Sequence, residues 1–178
     1  MDKNKVRSLV ALFLYYSFAY YLPNSYIPIL GRISNAIRIW CVKHIFKKCG
    51  EITTVNRKAY FGKGTEIEIG DFSGIGENCI IPPNTIIGKY VMMAEDVYIV
   101  DRNHTTSCTD TPMCFQGYEP KKTTIIEDDV WIGARVMIMP GRRIGKGSVC
   151  ASASIITKDI EPYSIVGGNP AKLIKKRK

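Results

Sequence analysis

Histidine is nearly missing from this chain of 178 residues: His44 and His104 are the only two. A zinc site built on three imidazoles is thereby excluded within one chain. None of the six cysteines (Cys41, Cys49, Cys79, Cys108, Cys114, Cys150) forms a C-x-x-C pair or a zinc-ligand spacing. Cys79 and Cys150 fall at small or apolar positions of a repeat described below, so buried thiols in a reducing compartment are expected there. No G-x-S-x-G elbow occurs, which removes the signature of a serine acyl-enzyme. Long apolar runs are also lacking. The longest, Ser8–Leu22, has 15 residues, and a membrane-spanning helix needs about 20.

Acidic residues are nearly absent from both ends. The net charge is +9, yet residues 1–50 hold eight Lys or Arg against Asp2 alone, and residues 171–178 hold five against none. The body between them is slightly acidic. That distribution excludes a basic stripe along the whole protein, so no nucleic-acid partner is expected. The ends suit an anionic membrane, a phosphorylated cofactor, or water.

Lys3, Lys5 and Arg7 precede the aromatic run Ser8–Leu22. It resembles a signal-peptide core but has no small-x-small cleavage site. Three readings stay open: a helix that covers one end of the fold, a helix lying on a membrane surface, and a signal or spanning segment. Residues 27–49 read as a second helix. Ile29, Ile33, Ile37, Trp40 and Ile45 fall roughly at helical spacing, Arg32, Arg38, Lys43, Lys47 and Lys48 take other positions, and Gly50 reads as the stop. Its basic side is expected on solvent or on an anionic bilayer. His44 is expected to be structural or solvent-facing.

From about residue 57 a period of six takes over. Aliphatic residues recur at Ile69, Ile75, Ile81, Ile87, Met93 and Ile99, and again at Ile126, Ile132, Ile138, Ile144, Cys150 and Ile156. Gly or Ala often follows each, with a small or β-branched residue four places on. The spacing from Ile99 to Ile126 is not a multiple of six, so an insertion loops out there. Hexapeptide repeats of this kind are a β-helix signature. Each hexad supplies one short strand and one turn, and three hexads make a triangular coil of about 18 residues, rising about 4.8 Å per coil. The aliphatic residues point inward, and small residues at the first and fourth following positions are expected to ease the corners. The stack leaves two raw ends. The N-terminal helices are candidates to cover one, and the chain from Pro162 onward leaves the other.

In Asp101-Arg-Asn-His104, Ile126–Val136, Ser154–Asp159 and Val166–Lys172 the chain resembles the hexapeptide-repeat acyltransferases. Within them it is most similar to the galactoside, maltose and capsular-polysaccharide O-acetyltransferases. The resemblance implies a mainly β fold, a left-handed parallel β-helix. It implies an α-helical region 1–56, a catalytic β-helix 57–166 with loop 101–122, and a basic tail 167–178. It further implies acetyl-coenzyme A as donor, a homotrimer with sites between subunits, no metal, and a bacterial role in polysaccharide biosynthesis. The expected location is the cytoplasm, with membrane association on its cytoplasmic face left open.

Acyl transfer to an alcohol needs a base, and a near-neutral imidazole serves at pH 7. The resemblance gives that role to His104, with Asn103 beside it and Asp101 as the nearest acidic candidate to orient it. For Asp101 a surface turn is an equal reading. It puts Trp131 on the pantetheine arm, Ser152 and Ala153 on the coil edge, Thr157 and Lys158 near the nucleotide, and Lys172 and Lys175 on the phosphates. Residues 176–178 are expected to be solvated. Arg102, Met113, Phe115, Gln116 and Tyr118 of the loop are expected to shape the acceptor site. The stretch Ser73–Asn78 departs from the galactoside enzymes' active-site Asn pattern, which leaves acceptor recognition open. The expected activity is O-acetylation of a sugar or polysaccharide precursor. The alternatives are N-acetylation of an amino sugar or small amine, and a non-catalytic β-helix scaffold.

Overall fold

The computed structural model describes the backbone of residues 3–178 and the side-chain surroundings of residues 6–178. Lys3 and Lys5, assigned above to a basic N-terminal flank, have side chains outside the described set. Two helices, α1 (Lys3–Ser17) and α2 (Leu30–Ile45), precede fifteen short strands.

The strands fall on three faces. One face carries β1 (Lys48–Cys49), β3 (Glu68–Ile69), β5 (Thr85–Ile87), β8 (Thr124–Ile126) and β11 (Arg143–Ile144). A second carries β2 (Thr54–Val55) and β4 (Gly74–Ile75), then β6 (Met92–Met93), β9 (Trp131–Ile132), β12 (Val149–Cys150) and β14 (Ser164–Gly167). The third carries β7 (Tyr98–Ile99), β10 (Met137–Ile138) and β13 (Ile155–Ile156). The chain visits the faces in turn and returns to each one a full turn later. The pairing is parallel, with Glu68 beside Ile86, Trp131 beside Val149 and Met137 beside Ile155, an 18-residue offset. Across the insertion the offset becomes 39, as for Met92 and Trp131, so that turn carries 21 extra residues.

Every aliphatic position of the six-residue period, from Ile69 to Ile156, is buried. The two small positions do different work from that expected. Four places after the aliphatic residue, Ser73, Cys79, Thr85, Val91, Val97, Val130, Val136, Ser148 and Ser154 are also buried and form a second inward row. Its hydroxyls satisfy the backbone: Ser148 Oγ donates to the Glu161 carbonyl at 2.9 Å and accepts from the Ser164 amide at 3.1 Å. The corner lies one residue earlier. Phe72, Asn78, Tyr90, Asp96, Asp129, Arg135 and Ala153 all have φ of +55 to +59°, a region that costs L-residues roughly 1–2 kcal/mol. The glycine after the aliphatic residue answers to the next coil. A Cβ on Gly70 would stand 2.7 Å from the Gly88 carbonyl carbon, and one on Gly133 2.7 Å from the Ser152 amide nitrogen.

The helices cover the open edge of the first coil. Tyr15 Oη donates to the Ala59 carbonyl at 2.7 Å, and Tyr16 Oη donates to Gly62 and accepts from the Phe61 amide. Asn35 spans the same edge, accepting from the Val55 amide and donating to Thr53. α2 matches its sequence reading only in part: Ile45 is buried, Ile37 packs on the core, and Arg32, Lys43, Lys47 and Lys48 are exposed, but Arg38 changes places with Ile33 and Trp40. Ser34, Arg38, Cys41, Val42 and Ile45 face inward, whereas Ile29, Leu30, Ile33 and Trp40 face out. The Arg38 guanidinium is fully buried and donates to the carbonyls of Val55, Ala19, Leu22 and Pro23 and to Ser25 Oγ. It joins helix, linker and coil at one point, which the apolar residues at these positions cannot do.

The helix stops at Ile45, and Lys48–Cys49 already pairs with Glu68–Ile69. The coils therefore begin ahead of residue 57. Residues 172–176 form β15 (Lys172–Lys176), antiparallel to β14. Lys176 Nζ donates to Ser164 Oγ at 2.9 Å, and Arg177 reaches Asp129 at 3.1 Å. These two cations are held by the coils rather than solvated freely.

Candidate active site

The insertion leaves the stack after β7, at the corner between the third and first faces. Its base is a short antiparallel ladder. The Thr105 amide donates to Gly117 at 3.1 Å, the Glu119 amide donates to Asn103 at 2.9 Å, and His104 lies opposite Tyr118. The two rings pack at 4.2 Å between centroids. Arg102 sits over the other part of this array, its guanidinium 4.2 Å from the Tyr118 centroid. His104 is therefore oriented by ring packing and backbone register. Asp101 ion-pairs with Lys121 at 3.3 Å and with Arg102 at 3.8 Å, facing the loop's own cations.

Gln116 braces the loop. Its Nε2 donates to the carbonyls of Cys108 and Thr111, and its Oε1 accepts from the Cys108 amide. Beyond it Met113 and Phe115 are exposed on a single helical turn. Hydrogen bonds from Thr111 and neighbouring backbone hold the Cys108 thiol below the usual range. Burial pushes Cys79 and Cys150 up to about 12, as inert core thiols require.

The remaining sequence-assigned residues are spread around the stack. Under the loop base a cavity of about 230 Å³ is lined by Arg102, Asn103, Arg142 and Thr157 among others. Lys158 lines a second cavity, of about 250 Å³, against Leu173 and Lys176 of the terminal hairpin. Trp131 belongs to the second face and is half-exposed. It borders a groove of about 290 Å³ with Tyr26, Phe72 and Met92. Ser152 and Ala153 form an exposed corner, the Ala153 amide bonded to Ala134 at 2.8 Å. Lys172 and Lys175 are exposed on β15. Within one chain, Asn103 and Thr157 are brought together, while His104 and Trp131 line no common cavity among those found.

One feature escaped sequence reasoning. The Trp131 groove continues, through the shared residues Tyr26, Asn56, Gly76, Met93 and Ala94, into a polar hollow of about 260 Å³. Asn24, Glu77 and Glu95 line that hollow. Asn24 donates to the Glu77 carboxylate, and Arg57 pairs with it at 3.1 Å. The signal was faint: Glu77 falls in the stretch Ser73–Asn78, which departs from the galactoside enzymes' pattern. Asn24 and Tyr26 come from the linker 18–29, whose path no periodicity reveals, and Arg57 from the first coil.

Comparison with known proteins gives these surroundings a context. No family model matches the chain. The chain spans under a third of the length of the first curated relatives it matches. It is 58% identical over 60 residues to a chloramphenicol acetyltransferase of Klebsiella aerogenes, which is 34% of this chain and 29% of that protein. It is 33% identical over 137 residues to YJL218W of Saccharomyces cerevisiae, an acetyltransferase by name, covering 76% of this chain and 68% of the relative. Among solved structures, a maltose O-acetyltransferase from Clostridium difficile 630 superposes with a TM-score of 0.77 at 27% identity, over 99% of this chain and 90% of that one. A hexapeptide-repeat acetyltransferase from Vibrio cholerae, complexed with acetyl coenzyme A, superposes at 0.61 and 26% identity, over 80% and 78% of the two chains.

Proposed function

We propose that this chain, which belongs to the hexapeptide-repeat acyltransferase family, transfers an acetyl group from acetyl-coenzyme A to a saccharide hydroxyl, with His104 as general base. The coils are read as a left-handed parallel β-helix, on the likeness to the maltose O-acetyltransferase. The observation that carries the proposal is a separation. His104 stands exposed on its braced loop, whereas the groove of Trp131 contains no imidazole or carboxylate among its lining residues. Base and groove are complementary halves. In a homotrimer, the loop of one copy brings His104 to the Trp131 face of the next.

In that arrangement the acetyl donor lies along the groove, its pantetheine arm against Trp131. Ser152 and Ala153 offer a backbone edge, and Thr157, Lys158, Lys172 and Lys175 meet the nucleotide end with hydroxyl and ammonium groups. The polar hollow at Asn24, Asn56, Glu77 and Glu95 takes the acceptor, since amides and carboxylates bond sugar hydroxyls and Tyr26 and Phe72 offer flat apolar faces. The acceptor O–H gives its proton to His104 as its oxygen attacks the thioester carbonyl. A coil backbone N–H stabilises the tetrahedral oxyanion. The C–S bond then breaks, and the coenzyme A thiolate takes the proton from the imidazolium. Asn103 and Asp101 act through the loop base, Asp101 by holding Lys121 and Arg102 rather than the imidazole. Arg102, Met113, Gln116 and Tyr118 fix the loop and its exposed rim.

The identity to a chloramphenicol acetyltransferase over 60 residues favours a second reading, in which the acceptor is a small non-saccharide molecule. Incubation with acetyl-coenzyme A and a panel of sugars, amino sugars and chloramphenicol separates the two by which product gains 42 Da, the mass of an acetyl group replacing hydrogen. His104→Ala is expected to lower turnover by about 10²–10⁴ without loss of folding. Unchanged turnover would overturn the assignment of His104, and absence of turnover by the unaltered chain with every acceptor would favour a non-catalytic scaffold.

A further inference from the structure

We infer that the outward face of α1, with the turn that follows it, docks on an anionic lipid bilayer. The faces of α1 are unequal in what covers them. Ala11, Tyr15 and Ala19 are buried against the coil and α2. Leu9, Val10, Leu14 and Ser17 point the other way, with Phe13 at 71% exposure. The chain then continues this surface through Phe18 and Tyr21, 55% and 67% exposed. Residues at these spacings share one side of a helix, so α1 carries an uncovered apolar stripe ringed by aromatic side chains. α2 repeats the arrangement in its own way, burying Arg38 and turning Ile33 and Trp40 outward.

Charge selects the occupant. No acidic residue occurs between Lys3 and Gly50, and Arg7 and Arg32 are exposed there. A second copy docking through the same surface would bring two basic regions together with no acid to offset them. A bilayer rich in anionic headgroups offers the opposite charge. Phe and Tyr suit the boundary between headgroup and acyl chain. The mode is lying on the membrane rather than crossing it. No helix among the described residues is long and apolar enough to cross.

The test uses the full chain with vesicles of pure phosphatidylcholine and vesicles containing phosphatidylglycerol. Co-sedimentation is expected with the second and not the first, falling as salt rises. Leu9→Asp with Phe13→Asp is expected to lower partitioning at least tenfold, with an unchanged circular dichroism spectrum. Acetyl transfer to a water-soluble acceptor is expected to persist in that variant, because neither residue touches the groove or loop. Equal binding to both vesicle types, equal binding by the variant, or absence of binding would overturn the inference. So would a variant that changes the oligomeric state instead, since the stripe would then be an interface between copies. If the double variant unfolds, Phe13→Ser read in the same assay carries the decision.

Discussion

The coils and the helices that cover them solve the same problem by opposite means. Along the coils each rung is covered by the next. Ile126, Ile132, Ile138 and Ile144 are all fully buried by copies of one pattern, so stability is distributed rung by rung, as in other solenoids. The first coil has no rung beneath it. Its cover is a set of unrepeated contacts: Tyr15 to Ala59, Asn35 to Val55, Lys58 to the Tyr20 carbonyl, and Arg38 to four carbonyls. Repetition gives redundancy, whereas a cap concentrates its function in a few irreplaceable groups. Damage of equal chemical size should therefore cost more in the cap.

Arg38→Ala is the largest such test. It strips donors from the carbonyls of Val55, Ala19, Leu22 and Pro23 in a dry setting. Burial first, with the nearby Arg57 charge adding to it, holds the Arg38 guanidinium below its usual range. A loss of about 3–5 kcal/mol is expected, as for breaking a buried charge network, measured by urea unfolding. In the coils, Ile138→Ala should cost about 2–5 kcal/mol, and it should open one rung rather than the whole stack. Hydrogen exchange distinguishes the two. Arg38→Ala should deprotect β1 through β4 together, whereas Ile138→Ala should deprotect β10 and its neighbours β7 and β13. Equal and global effects would dissolve the distinction between cap and coil.

Ser148→Ala probes the inward row at smaller scale. It leaves the Ser164 amide and the Glu161 carbonyl without their shared hydroxyl, and about 1–3 kcal/mol should be lost. Ser148→Cys should recover less than half, because a thiol is a weak donor and acceptor.

The same contrast explains what could be read from the residues alone. A period of six announced the coils because every rung obeys one steric demand, and the aliphatic positions were legible from Ile69 to Ile156. The first coil is hidden because its offset is 20, as for Thr54 and Gly74, and because its marker glycine, Gly50, also reads as a helix stop. The inward row at Ser73 and Ser154 was read as corners because small residues serve both purposes. α2 was legible as a helix and only in part as a surface. Apolar spacing identifies a face, but only the carbonyls of Val55 in the coil and of Ala19, Leu22 and Pro23 between the helices explain why Arg38 rather than Trp40 turns inward. The loop was visible as a break in register and His104 through family resemblance. The hollow at Asn24 and Glu77 joins a linker to a rung, and no local pattern encodes that meeting.

The smallest effect concerns the corners, whose residues looked arbitrary in the sequence. Phe72, Asn78, Tyr90, Asp96 and Arg135 range from aromatic to charged, yet each adopts a left-handed backbone. If the ladders on either side impose the corner, side-chain identity there is secondary and only conformational cost remains. Arg135, at φ +59°, is exposed and pairs with Asp96 only at 3.7 Å, a contact worth little in water. Arg135→Gly removes a strain of roughly 1–2 kcal/mol and adds about 0.5–1 kcal/mol of unfolded-state freedom. The net expectation is a gain of about 0.5 kcal/mol. Arg135→Val keeps the strain and adds a β-branched side chain to it, so stability should fall by about 1–2 kcal/mol. Thermal unfolding of the three proteins should rank them glycine, arginine, valine. If valine matched arginine, the corner would be set by its own residue rather than by the coils stacked around it.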